Sequence, residues 1–202
     1  MQKYSSTTPD WLYLEPNIDV DTLDTIKKEL IKLSVANKPH NLVEYTSTFV
    51  AADRELTHKL CPTLIKELTR LELLKDFDFV ALISVVGQTE FPPHVDVGTE
   101  VGLNIPLINC ENTYTVWYDA KIMDQELPEY AIGSEIAHMA RVCEPRTAKE
   151  IGRCDSSRPW WINTNVPHRP ETHHSEFRLA ASVRFYPDPI NEKGELWPHL
   201  IK

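Results

Sequence analysis

Three residues of this chain together offer the side chains that a catalytic metal ion needs. His94 and Asp96 are two residues apart, and His168 follows much later. Two imidazoles and one carboxylate are the ligand set that holds non-haem Fe(II) on one face and leaves its other positions open for O2. Arg178 comes soon after the second histidine and could bind the carboxylate of an acidic co-substrate through a two-pronged hydrogen bond. The pattern predicts an iron site with an anion-binding residue beside it.

A His-x-acid tripeptide is weak evidence by itself. The chain has 8 His and 30 acidic residues among 202, so composition alone predicts about one such tripeptide. Two occur, at residues 94–96 and at His174-Ser175-Glu176. The second lies in the polar stretch 169–176, which is typical of a solvated loop. The first tripeptide is therefore the candidate for the metal site.

The elements around the first tripeptide would hold it in an extended conformation. Val80–Val86 is apolar and rich in β-branched residues, so it reads as a buried strand. The dipeptide 92–93 is Pro-Pro, which imposes an extended backbone just before His94. Val101–Ile108 predicts the next strand. In such a segment His94 and Asp96 point to the same side and can face one ion.

The second histidine also falls at a strand end. Trp160–Val166 reads as a strand that Pro167 ends just before His168. Phe177–Phe185 is the next strand, and its alternate residues form two different faces. One face carries Arg178, Ala180, Ser182 and Arg184, and the other carries Leu179, Ala181, Val183 and Phe185. Two arginines and a serine suit a face that accepts an anion, although a solvated outer face would also explain them.

These segments resemble one enzyme superfamily, the Fe(II)- and 2-oxoglutarate-dependent dioxygenases. The branches it resembles most are the prolyl hydroxylases and the aspartyl/asparaginyl β-hydroxylases. The β-hydroxylase branch often lacks the metal carboxylate, and the presence of Asp96 favours the prolyl-hydroxylase type of metal site. The matching segments are Phe91–Asp96, Val101–Leu107, Trp161–His168 and Phe177–Phe185.

The resemblance implies a role for each candidate residue. His94, Asp96 and His168 would bind Fe(II), with O2 and 2-oxoglutarate as co-substrates. Arg178 stands ten residues after the distal histidine, where the family often places the residue that binds 2-oxoglutarate. Three further residues of the co-substrate site are implied: Ser182 as a helper of Arg178, Asn104 near the co-substrate, and Arg184 as an alternative anchor. The implied reaction is hydroxylation of a C–H bond. The first choice of substrate is an amino-acid side chain, either in a peptide or in a free amino acid. A nucleobase or another small metabolite is the next choice.

Composition narrows the class of protein. Hydrophobic content of 42% and charged content of 25% are ordinary for a globular protein. A formal charge of −9 argues against a binder of duplex nucleic acid. No segment has the length of a membrane span, and the first residues lack the apolar core of a signal peptide. We expect a cytoplasmic protein whose isolated cysteines, at positions 61, 110, 143 and 154, are reduced.

The remaining segments predict two helices and two further strands. Asp21–Leu33 and Pro62–Leu74 carry leucines at helical spacing, and Asn41–Val50 predicts a strand between them. Thr113–Tyr118 predicts another strand. Residues 119–157 are hard to interpret, although Arg146–Arg153 could form a short helix, and the tail after Pro187 is expected to wrap the surface.

The fold predicted is α+β. Residues 1–202 would form a single domain, in which a double-stranded β-helix (a cupin-like jelly-roll of two facing sheets) has N-terminal helices packed on one sheet. Residues 1–75 would be the supporting region, 76–187 the catalytic core and 188–202 the C-terminal tail. Two other classes stay open: a cupin-like metalloprotein without oxygenase activity, and a structural β-sandwich whose two histidines and aspartate lie apart.

Overall fold

The computed structural model describes residues 11–37, 48–86, 92–126, 140–173 and 176–202. These residues contain three α-helices: α1 Val20–Ala36, α2 Arg54–Leu60 and α3 Pro62–Arg70. Two short 3-10 helices are Pro145–Thr147 and Pro198–Leu200. The strands are β1 Tyr13–Leu14, β2 Thr48–Ala51, β3 Phe77–Val86, β4 His94–Asp96, β5 Val101–Ile108, β6 Thr113–Asp119, β7 Ile122–Glu126, β8 Ala140–Cys143, β9 Lys149–Asp155, β10 Trp160–Asn163, β11 His168–Thr172 and β12 Phe177–Phe185.

The strands form two six-stranded antiparallel sheets. The first sheet has the order β1-β10-β5-β12-β3-β2, and the second has the order β7-β8-β4-β11-β6-β9. Arg184 of the first sheet meets Asp96 of the second, so the two sheets face each other. Mostly β structure in two facing sheets, with three helices outside them, fits a β-sandwich or jelly-roll.

The main hydrophobic core lies between the helices and the outer face of the first sheet. Alternate residues of β5, β10 and β12 point to that face, because side chains alternate along a strand. They pack with the apolar stripes of α1 and α3, as the sequence predicts for amphipathic helices. The core includes Ile26, Leu30, Leu33, Leu64, Leu68, Leu103, Ile105, Trp161, Val183 and Phe185. Leu196 and Leu200 also belong to it, so the C-terminal tail is part of the core as well as of the surface.

The inner faces of the sheets are much more polar. A second, smaller hydrophobic cluster contains Trp117, Cys154, Ile162 and Val166. The inner face of β12 instead carries Arg178, Ser182 and Arg184, which are all buried. Burial of this face excludes the alternative that it is a solvated outer surface.

Several predicted elements are confirmed. The strands at Val101–Ile108 and Phe177–Phe185 have the predicted bounds, and the first helix differs only at its ends. The second helix ends at Arg70, earlier than predicted. Of the predicted strand at Asn41–Val50, residues 41–47 lie outside the described residues. None of the helices in the described ranges is long and apolar enough to cross a membrane.

Two predictions on the second sheet are wrong. Most of Arg146–Arg153 is not a helix, because Lys149–Asp155 is a strand that pairs with β6. Residues 169–172 are not loop but part of β11, which also pairs with β6. Their polar side chains suit a strand because Arg169 and Tyr118 both donate hydrogen bonds to Glu171. Of the second His-x-acid tripeptide, residues 174 and 175 lie outside the described residues.

A buried carboxylate joins two of the helices. Glu29 of α1 is only 8% exposed, and it accepts hydrogen bonds from the backbone N–H groups of Thr63 and Leu64 at 3.1 and 3.3 Å. These groups lie in the first turn of α3, where backbone N–H groups have no partner within the helix. The positive end of the helix dipole also favours a negative charge there. Glu29 therefore fixes the packing of α3 on α1.

Replacing Glu29 should destabilise the protein measurably. Glu29→Ala leaves two buried N–H groups without an acceptor, which should lower the free energy of unfolding by about 1–3 kcal/mol. Glu29→Gln keeps an oxygen acceptor and should lose less. Asp24→Ala, on the exposed face of the same helix, should change it by less than about 0.5 kcal/mol. Urea unfolding measures all three, and equal values for Glu29→Ala and Asp24→Ala would contradict this role.

Candidate functional site

The neighbouring strands β4 and β11 of the second sheet bring His94, Asp96 and His168 together. Their ligand atoms all lie within 4.8 Å of one another. His94 and Asp96 are the two ends of β4, and His168 begins β11 directly opposite His94. Asp96 Oδ1 lies 3.8 Å from His94 Nε2 and 4.0 Å from His168 Nε2. Atoms that bind one divalent ion at about 2.1 Å lie about 3–4 Å apart, so the spacing fits a metal site.

Backbone carbonyls fix which nitrogen of each ring faces the site. His94 Nδ1 lies 3.0 Å from the Pro92 carbonyl oxygen. His168 Nδ1 lies 2.9 Å from the Val166 carbonyl oxygen. A carbonyl oxygen only accepts, so each Nδ1 carries the proton and donates. Each Nε2 then presents a lone pair toward Asp96, which is the tautomer that metal binding requires.

Burial keeps His168 neutral. The residue is 6% exposed, and desolvation, only partly opposed by the charge of Asp96, lowers the pKa of its imidazole to about 4. A neutral imidazole is a metal ligand and an imidazolium is not. Near neutral pH His168 therefore needs no deprotonation before it can bind an ion, and the donor set fits a divalent metal.

The two oxygens of the Asp96 carboxylate face different groups. Oδ1 faces the histidines, whereas Oδ2 lies 2.9 Å from Arg184 Nη1. The Asp96 and Arg184 side chains are only 2% and 4% exposed. Removing both charges from water is costly, so each depends on the other. Arg184 thus orients Asp96 and leaves Oδ1 for a metal.

Arg184 is itself held on two sides. Its Nη1 donates a hydrogen bond to Thr99 Oγ1 at 3.2 Å. On the neighbouring strand stands Gly102, where an added Cβ would lie 2.8 Å from Ser182 Oγ and 3.2 Å from Arg184 Cζ. A larger residue at position 102 would displace one of these side chains. Close packing therefore favours glycine at this position.

The segment after Asp96 is anchored to the C-terminal part of the chain. Backbone N–H groups of Glu100 and Val101 donate to the Asp188 carboxylate at 2.9 and 3.1 Å. The Thr164 N–H group donates to the Glu100 carbonyl at 2.8 Å. Burial raises the pKa of Asp188 to about 6 despite these hydrogen bonds. The tail thus positions Thr99, and through it Arg184.

A cleft next to Arg178 is the second feature of the site. The space between its walls is about 240 Å³ and is open to solvent. Arg178 is 5% exposed, and no hydrogen bond or ion pair joins its guanidinium to another described residue. A buried cation without a counter-ion is unfavourable unless a ligand supplies the anion. The polar residues that line the cleft are Asn104, Thr115, Ser156, Arg158 and Arg178.

The described lining of this cleft is positively charged, whereas the whole chain has a net negative charge. The protein has a formal charge of −9, yet the cleft lining contains two arginines and no acidic residue. Asn104 Oδ1 and Ser182 Oγ, on neighbouring strands, are buried and have no hydrogen-bond partner among the described residues. A concave site with cations and unused polar atoms is suited to a small anion.

Each residue proposed from the sequence lies on an inner face. His94, Asp96 and His168 form the metal group, and the ion pair places Arg184 beside it. Arg178 and Asn104 line the cleft, and Ser182 pairs across the sheet with Asn104. The structural β-sandwich alternative required the three ligands to lie apart, and they do not. The cleft residues that the sequence did not identify are Thr115, Ser156, Arg158 and Trp160.

Comparison with known proteins adds little to this geometry. No family model matches the sequence, and no curated protein matches it. Among solved structures, the X-ray structure of E. coli ycfD aligns with 78% of this chain at 16% identity and a TM-score of 0.38. The chain spans 38% of that protein's length. A similarity this weak assigns neither a fold nor an activity.

The two buried arginines of β12 should affect stability in opposite ways. Arg184→Met leaves the Asp96 carboxylate buried without its partner, which should lower the free energy of unfolding by about 3–5 kcal/mol. Arg178→Met removes a buried charge that has no partner, so stability should be unchanged or higher. Urea unfolding of the metal-free protein measures both. A large loss in Arg178→Met would mean that this guanidinium has an internal partner.

Divalent metal gives a further check on Arg184. In Arg184→Met the charge of Asp96 loses its guanidinium partner, and a bound cation would compensate that charge. Saturating Mn²⁺ should therefore raise the midpoint of unfolding more in Arg184→Met than in Arg153→Met, which removes an exposed ion pair with Glu150. Equal shifts would show that Arg184 does not act on the metal group.

Proposed function

We propose that this protein is an Fe(II)- and 2-oxoglutarate-dependent oxygenase that hydroxylates a C–H bond. The observation that carries the proposal is Arg178, a buried cation that has no hydrogen bond or ion pair among the described residues. It lies on the inner face of β12, in the sheet that faces the one holding His94, Asp96 and His168. A metal alone has no use for such a cation. A metal that is chelated by one end of a dicarboxylic acid needs a cation for the other end.

The strand order supports a double-stranded β-helix as the fold. The chain alternates between the sheets: β3, β5, β10 and β12 belong to the first, and β4, β6, β9 and β11 to the second. Each set forms four consecutive antiparallel neighbours, as in a jelly-roll of two Greek keys. The metal group would then lie between the sheets, where β4 and β11 pair, and the cleft would lie deeper along β12.

Each residue of the site would have a distinct role in binding the metal or the co-substrate. His94, Asp96 and His168 would hold Fe(II), which with 2-oxoglutarate and O2 supplies the oxidising chemistry. Arg178, assisted by Ser182 and Asn104, would bind the distal carboxylate of 2-oxoglutarate. Arg184 would keep one Asp96 oxygen pointed at the metal. The facing sheets would exclude water from the reacting atoms.

For the substrate we propose an amino-acid side chain, in a peptide or as the free amino acid. The support is the resemblance of Phe91–Asp96 and Phe177–Phe185 to the prolyl and aspartyl/asparaginyl hydroxylase branches. The main alternative is a cupin-like metalloprotein without oxygenase activity. It would share the metal group but would have no role for Arg178, which makes this residue the discriminator.

An anaerobic titration tests the proposal. Adding 2-oxoglutarate to the Fe(II)-loaded protein should produce the weak visible charge-transfer band of the chelate, and His168→Ala should lose it with the metal. Arg178→Met should bind Fe(II) normally but require about ten- to a hundredfold more 2-oxoglutarate, because one charge-assisted interaction contributes about 1.5–3 kcal/mol.

Other results would point elsewhere. Bound iron without the band would favour the cupin-like metalloprotein. No iron binding would reject the proposed oxygenase function. A normal 2-oxoglutarate requirement in Arg178→Met, with iron bound, would transfer the role of anchor to another cation.

A further inference from the structure

The cleft contains a second arginine in addition to Arg178. Arg158 lies in the turn between β9 and β10 and lines the same cleft as Arg178. Unlike Arg178 it is exposed, and Trp160 beside it is half-buried. Ser156 and Ala180 are buried. The cleft therefore runs from a buried end at Arg178 to the protein surface at Arg158.

Arg158 resembles Arg178 in having no ion-pair partner among the described residues, although the chain is rich in acidic residues. The chain has 30 acidic and 21 basic residues, and arginines 70, 153, 169 and 184 each pair with a carboxylate. No ion pair or hydrogen bond joins Arg158 to another described residue, and no acidic residue lines its cleft. The described lining of this cleft therefore carries positive charge and no negative charge.

We infer that Arg158 is a second anion-binding residue of the cleft and that it selects for a ligand with a distal carboxylate. This inference rests on the proposed function, because the ligand is taken to be a dicarboxylic 2-oxo acid. Arg178 would bind the carboxylate from the buried end, and Arg158 would bind the same carboxylate from the surface end. Thr115 and Ser156, whose hydroxyl oxygens lie 3.2 Å apart, also line the cleft.

A pair of ligands and a pair of variants test this role. The ligands are 2-oxoglutarate and 2-oxopentanoate, which has the same five carbons but lacks the distal carboxylate. The variants are Arg158→Ala and Arg146→Ala; Arg146 is an exposed arginine without an ion pair among the described residues, and it does not line the cleft. Affinity is measured calorimetrically under anaerobic conditions with Fe(II)-loaded protein.

Arg158→Ala should weaken 2-oxoglutarate binding about two- to fivefold, as expected for a solvent-exposed charge pair. It should leave 2-oxopentanoate binding unchanged, and Arg158→Lys should recover part of the loss. The loss should shrink in about 0.5 M salt, because ions screen exposed charges. Arg146→Ala should bind both acids like the wild type.

Three results would overturn the inference. One is wild-type affinity for 2-oxoglutarate in Arg158→Ala, and another is an equal loss for both acids, which would exclude recognition of the distal carboxylate. The third is an equal loss in Arg146→Ala, which would indicate an effect of net charge only. Failure of the wild type to bind 2-oxoglutarate at all would instead reject the proposed function.

Discussion

The buried carboxylate of Asp96 is the group on which the arrangement of the site depends. A carboxylate in this position is tolerable only if cations or donors replace the water it has lost. Arg184 supplies that compensation from the opposite sheet at 2.9 Å. The ion pair therefore links the two sheets at the metal group. It also settles which oxygen remains for a metal, since Oδ2 is engaged by the guanidinium and Oδ1 faces the histidines.

The same strand presents a second arginine that has no such compensation among the described residues. Arg178 and Arg184 share the inner face of β12, yet only Arg184 meets an acidic side chain. Arg184 thus completes the structure, whereas the buried charge of Arg178 lowers stability unless an anion compensates it. Stability elsewhere in the protein can offset that cost. Here the apolar core between helices α1 and α3 and the first sheet offers that stability.

The sequence predicted individual strands and the metal-ligand positions well. It did not predict which residues of the two sheets face each other. Strand Phe177–Phe185 was predictable because its alternation is strict, and the ligand positions were predictable because prolines precede both histidines. Lys149–Asp155 was not, since its strand character comes from pairing with β6. The pairing of Arg184 with Asp96 and the position of Arg158 were equally out of reach. Both depend on which residues of one sheet oppose those of the other, and no local pattern encodes that.

The separation of the main core from the inner faces bears on how such a protein can diversify. Residues that hold the fold together, such as Leu30 and Val183, lie on the outer side of the first sheet. Residues that would recognise ligands lie on its inner side, alternating with them along the same strands. Inner positions whose side chains have no partner among the described residues, such as Arg178, can therefore change with little effect on folding, whereas the ion pair of Arg184 with Asp96 cannot be lost so easily. The alternation of a β-strand thus gives one segment two independent targets for natural selection.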